Sequence, residues 1–159
     1  MGTAKRADPG HAARVYEFDD SRSPLLISRV RGVITDAELT QFCRDLDAIV
    51  ERAEPFAILY DITDVPIPPR AQIMEVLAWN RRLRARYIEL YDEANPPIPS
   101  FAAYHMPSML GNLLRFFLQM VPSTRGQMAV CNSYDEALRA CELALERMEL
   151  DHPPHLAAG

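Results

Sequence analysis

Asp61 and His105 are the residue types from which a small protein builds acid–base chemistry. A carboxylate that holds one nitrogen of an imidazole raises the basicity of the other. Asp61 and Asp64 follow an apolar run at Phe56–Ile62, Tyr104 and His105 close a second at Ser100–His105, and Asn132 and Ser133 follow a third at Met128–Cys131. If those three segments are parallel strands, the polar groups share one rim of a sheet, with Arg70 opening the helix after the first of them. No nucleophile stands beside Asp61 or His105 in sequence, and Ser108 is better used as a helix cap. The expectation is that Asp61 and Asp64 serve turns, that His105 is a rim residue, and that no residue is catalytic. A small Asp/His enzyme is the last of three functional readings.

The Arg70 corner is poorly equipped for phosphate. A helix start binds anions through free backbone N–H groups, and Pro68 and Pro69 remove two of them. The loop has no glycine to let a phosphate approach the backbone. Arg70 can still hold an anion through its own charge. Cys43, Cys131 and Cys141 form an odd set without paired spacing. Cys43 and Cys141 fall on apolar helix faces, as core cysteines of a reducing compartment do. No zinc pattern, metal site or cofactor is expected.

Two helical segments carry further candidates. At about 100° per residue, Ile73, Val76, Leu77, Trp79, Leu83, Tyr87 and Leu90 fill one arc of the second helix. Asn80 and Arg84 point into that same arc. They form either a polar floor in an apolar pocket flanked by Trp79 and Tyr87, or a place where Arg84 snorkels past the core. In Met106–Val121, Ser108, Asn112, Arg115 and Gln119 make one narrow polar stripe. The apolar remainder spans about 200°, where one sheet-packed helix needs little more than about 100°. Leu110, Leu114, Phe117 and Leu118 are therefore expected to meet something besides the sheet: a neighbouring helix, a second subunit or partner, or an apolar ligand.

The elements that position these residues are legible. Val15–Phe18 and Leu25–Arg31 are strand candidates separated by a polar turn at Asp19–Pro24, and Gly32 ends the second. Thr35 and Glu38 form a capping box. The helix they open presents Leu39, Phe42, Cys43, Leu46, Ile49 and Val50 on one face. Phe56–Ile62 is nearly all apolar, as suits a strand covered on both faces. A helix from about Pro69 to Tyr91, a break at Asn95–Pro99, strand Ser100–His105, helix Met106–Val121 and strand Met128–Cys131 follow. A second capping box at Ser133 and Glu136 opens the last helix, with Tyr134, Ala137, Leu138, Cys141, Ala144, Leu145 and Met148 inward. The order β-β-α-β-α-β-α-β-α implies an α/β domain: a mixed sheet of about five strands packed with four helices.

The 159 residues fit one domain, placed at 14–150, with disordered tails at 1–13 and 151–159. A formal charge of −5 excludes a general nucleic-acid binder, which needs a basic face. Sixteen of the seventeen basic residues are arginine, which points to a GC-rich bacterial genome. Residues 1–14 carry no apolar signal core, and Met106–Val121 is interrupted by polar groups. A cytoplasmic protein with no membrane span is expected.

GVITDAEL at the first helix, FAILYDITDV before the second, and the closing segment Val130–Leu138 resemble the STAS superfamily, which covers sulfate transporters and anti-sigma factor antagonists. The nearer resemblance is to its SpoIIAA-like branch. It implies a non-enzymatic regulatory module that acts through protein contacts or self-association as a homodimer. The alternative is a binder of a small apolar or amphipathic ligand between the second and third helices. In family members that act as sigma-pathway antagonists, a serine at the start of the helix after the central strand is phosphorylated, and the added charge ejects the partner. Here that place reads Pro66-Ile67-Pro68-Pro69-Arg70-Ala71-Gln72, without a hydroxyl, so the resemblance does not bring that switch with it.

Overall fold

Phe56–Thr63 (β3) is the middle strand of a five-stranded sheet in the computed structural model, which describes residues 14–106, 109, 111–112, 115–116 and 127–151. The strand order is β1-β2-β3-β4-β5, with Tyr16–Arg22 as β1, Leu25–Arg31 as β2, Ser100–His105 as β4 and Met128–Cys131 as β5. β1 pairs antiparallel with β2, and β2 to β5 run parallel. β1 is longer than the sequence suggests. It continues through the expected turn to Arg22, with a register shift between Asp19 and Arg22. Asp19 Oδ1 accepts from both the N–H and the hydroxyl of Ser21, at 2.9 and 2.6 Å, which holds the irregular stretch in place.

Period-two alternation in β2 and β3 builds two cores. Leu26, Val30 and Ile58 face one way and pack with Leu39, Cys43, Leu46 and Ile49 of helix α1 (Asp36–Glu51). Leu25, Ile27, Ala57 and Leu59 face the other way, against Ala137 and Cys141 of the closing helix α3 (Tyr134–Asp151). Burial pushes the Cys43 thiol up to about 11 and the Cys141 thiol up to about 12, and raises Cys131. These are protonated core thiols at neutral pH, poor nucleophiles and poor ligands.

The capping boxes differ in detail. Thr35 Oγ1 accepts from the Glu38 N–H at 3.2 Å, and the Glu38 carboxylate accepts from the Thr35 N–H at 2.9 Å. At α3, Ser133 Oγ accepts from the Glu136 N–H at 3.1 Å, but the Glu136 carboxylate takes the N–H of Asn132 instead, at 2.9 Å. The second box is therefore reciprocal one residue further out than the spacing implies.

Helix α2 (Arg70–Tyr87) departs most from its sequence pattern. Of the expected inward arc, Ile73 and Leu77 are 39% and 49% exposed. The first half of α2 is anchored over the β2–α1 loop and not over the sheet: the Gln72 side-chain amide donates to the carbonyl of Ile34 and to Asp36 Oδ1, at 3.1 and 2.9 Å. The helix then widens into a π-helical turn at Ile88–Asp92. That extra residue rotates the chain, so Tyr91 is fully buried while Leu90 is only half-buried.

Helices α1, α2 and α3 flank the sheet. Of the expected helix Met106–Val121, Met109, Gly111, Asn112, Arg115 and Phe116 are described and helical. Leu110, Leu114, Phe117 and Leu118 lie outside the described residues, as do the expected tails, save that Asp151 is the last residue of α3.

Ala53, just past α1, sits at φ 50°, in the left-handed region that glycine adopts without strain. That conformation costs a side-chain residue about 1–2 kcal/mol. Glycine brings back about 0.5–1 kcal/mol of unfolded-chain entropy. Ala53→Gly should thus stabilise the fold by about 0.5–1 kcal/mol, a rise in Tm of about 1–4 °C by calorimetry. A lower Tm would mean that this turn is not strained.

Candidate functional site

The inner face of α2 does not close onto the sheet. Between them lies a cavity of about 250 Å³. Its floor is built by alternate residues of the two central parallel strands: Ile58 and Tyr60 from β3, and Ala102 and Tyr104 from β4. Tyr60 and Tyr104 are register partners, and their rings stack with centroids 4.8 Å apart at 16°. Burial pushes Tyr104 up to about 12 and Tyr60 well above its ordinary value. Both rings nonetheless keep some accessible surface, because the cavity lies beside them.

The far end is fixed by tyrosines. The Tyr87 hydroxyl meets Ser100 Oγ at 2.6 Å and ties the end of α2 to the start of β4. Tyr91, stacked on Tyr87 at 4.7 Å and edge-on to Phe56 at 5.9 Å, places its hydroxyl 3.2 Å from the carbonyl oxygens of Ile49 and Glu54. Burial pushes Tyr91 up to about 12. The π-helical turn directs Tyr91 inward beside Tyr87, and helical periodicity, which places Tyr87 on the inward arc, could not show that.

Asn80, Arg84 and Tyr87 all line the cavity. Asn80 and Arg84 are exposed, so they stand at its mouth and do not form its floor. Trp79 is not part of it. Its indole N–H donates to Asp47 Oδ1 at 2.9 Å, and its ring packs edge-on to Phe42 at 5.8 Å, on the side of α2 that meets α1. Successive helix residues point about 100° apart, so Trp79 and Asn80 cannot serve one pocket equally. Arg70 is exposed at the first residue of α2, away from the cavity.

Asp61 and His105 do meet, on the opposite face of the sheet. Asp61 Oδ1 is 2.9 Å from His105 Nδ1, and Asp61 Oδ2 accepts from Arg31 at 3.0 Å. Asp61 is 2% exposed and serves no turn. Arg29, Asp61, His105 and Cys131 occupy one register line across four strands. Arg29 donates to the Tyr134 hydroxyl at 3.1 Å. Asp64 sits in the following loop at φ 55°, a conformation aspartate tolerates. Asn132 accepts from Arg115 at 3.2 Å, and Ser133 caps α3. Sequence reading missed Arg29 and Arg31, although the alternation in LLISRVR puts both on one face. Among the described residues, no group of three or more His, Cys, Asp or Glu side chains is placed to hold a metal ion.

The buried tyrosines give a pH signature. An un-ionised phenol is favoured in the fold, whereas unfolded tyrosines ionise near about 10. The contribution of Tyr91 and Tyr104 is therefore complete below that pH and is lost as pH rises toward about 12. Phenolate absorbance from these rings should appear only together with alkaline unfolding. Titration of all six tyrosines near pH 10 in the folded protein would contradict the geometry.

No family model and no curated protein matches the sequence. Among solved structures, the chain is similar to the crystal structure of an anti-sigma factor antagonist from Mycobacterium paratuberculosis, at 14% identity and a TM-score of 0.45, covering 80% of this chain and 92% of that one. Among the described residues no helix is long and apolar enough to cross a membrane.

Proposed function

We propose that this chain is a non-enzymatic binding module of STAS type, and that its cavity takes a small amphipathic molecule. The observation that carries this reading is the cavity between α2 and the sheet, with an aromatic and aliphatic floor and a polar mouth. At about 250 Å³ it lies just below the usual range for ligand sites, about 300–1,000 Å³, so the ligand is small. Its apolar body would rest on Ile58, Tyr60 and Tyr104. Its polar or anionic head would sit at Asn80 and Arg84, in contact with solvent. A regulatory role for the module is what the STAS resemblance implies.

A second reading, contact with a protein partner or a second copy, is favoured by the exposed apolar residues around the start of α2. Val33, Ile67, Met74 and Leu77 are 65%, 87%, 56% and 49% exposed. The expected interface at Leu110, Leu114, Phe117 and Leu118 belongs to this reading.

Fluorescence titration with anilinonaphthalene sulfonate, an anionic head on an aromatic body, separates the two. The ligand reading expects saturable binding that weakens about tenfold, roughly 1.4 kcal/mol, in Arg84→Glu and in the cavity-filling Ala102→Phe. Binding untouched by both substitutions would overturn it. Absent binding, together with a dimer in light scattering that Met74→Asp dissociates, would favour the protein-contact reading.

A further inference from the structure

The carboxyl rim of the sheet on the α3 face carries an arrangement that the cavity does not use. Asp61 is almost fully buried, and each of its carboxylate oxygens is held by a different strand: Oδ2 by Arg31 of β2, Oδ1 by His105 of β4. The carboxylate fixes Arg31 and His105 in place. His105 Nδ1–H donates to Asp61, which turns Nε2 away from it, an acceptor in the neutral ring and a donor once protonated, and the side chain is 21% exposed. Arg31 uses one terminal nitrogen on Asp61, and its side chain is 60% exposed, so the rest of the guanidinium faces solvent. Arg29, two residues earlier on the same face of β2, lies 5.8 Å from the centre of the Tyr134 ring and pairs with Glu17 at 3.4 Å. Of the other carboxylates on this side, Glu17 pairs with Arg29, and Glu136 accepts from the Asn132 N–H. The rim is also the end of a parallel sheet at which open α/β folds place ligands.

We propose that Arg31 and His105, held by Asp61, form a binding site for a small oxyanion, a phosphate or carboxylate group. Both groups come from strands that flank β3, and both lean on one buried carboxylate, so they are positioned before the anion arrives; Arg31 donates as it stands, and His105 donates through Nε2 by taking up a proton as the anion binds. Asp61 is a positioning residue and does not touch the anion. The site and the cavity lie on opposite faces of the sheet, so either can fail without the other.

The test is an NMR titration of the full chain with inorganic phosphate, following the His105 ring resonances at constant ionic strength, with acetate as a second arm. Saturable shifts are expected, weakened about tenfold or more in Arg31→Gln and in His105→Gln, where affinity is read from backbone amides of β3 and β4. Arg31 is exposed, so its variant should fold. Asp61→Asn distinguishes positioning from a general field. It removes a negative charge, so a simple positive patch would bind phosphate more tightly, whereas loss of positioning weakens binding. If Asp61→Asn does not fold, the two donor variants decide. An equal response to acetate supports an oxyanion site that does not select phosphate. Absence of saturable shifts, binding indifferent to both donor variants, or tighter binding in Asp61→Asn would overturn the proposal.

Discussion

The two-residue period of β3, a strand buried on both faces, is the constraint on which the rest of this structure depends. Ile58 and Tyr60 point to the α1–α2 side, while Ala57, Leu59 and Asp61 point to the α3 side. Because β2 and β4 pair with β3 in parallel and in continuous register, that alternation extends sideways across the sheet. Tyr104 thus falls beside Tyr60, and His105 and Arg29 fall on the line of Asp61. A one-residue slip would move every one of these side chains to the other face. The aromatic floor and the charged rim are therefore two consequences of one register, one residue apart in sequence and on opposite faces of the sheet.

Electrostatics distinguishes the two faces. On the cavity side, burial keeps Tyr60, Tyr87, Tyr91 and Tyr104 un-ionised, so they offer hydroxyls and ring surface without charge. On the α3 side, removing Asp61 from water is costly. Two charge-assisted hydrogen bonds from separate strands offset that cost. Such a buried group adds little net stability compared with an apolar replacement, and its use is to fix geometry. Arg86 has a different part. It chelates Glu51 through two nitrogens, at 2.7 and 3.0 Å, on the surface between α1 and α2, near the end of α2 that bounds the cavity.

Much of this was legible in the sequence, for reasons that can be named. The apolar run Phe56–Ile62 marks a doubly covered strand, Ser100–His105 and Met128–Cys131 match their strands residue for residue, and Thr35 with Glu38 sets the start of α1. These signals are local. What sequence could not show depends on tertiary anchoring. Gln72 draws the start of α2 toward Ile34 and Asp36, which leaves Ile73 and Leu77 partly in solvent. The π-helical turn shifts phase and buries Tyr91. The meeting of Asp61 with His105 could be posed from sequence, but it required β3 and β4 to pair with no offset. Arg31 entered only through the β2–β3 register.

The most direct measurement on the central claim, that the cavity is the ligand site, is an NMR map of intermolecular contacts in the complex with anilinonaphthalene sulfonate. The account predicts nuclear Overhauser effects from the probe's aromatic protons to the Tyr60 and Tyr104 rings and to the Ala102 methyl group. Contacts confined to Val33, Ile67 and Met74, with none to the tyrosine stack, would place the probe on the exposed corner of α2 and contradict the account.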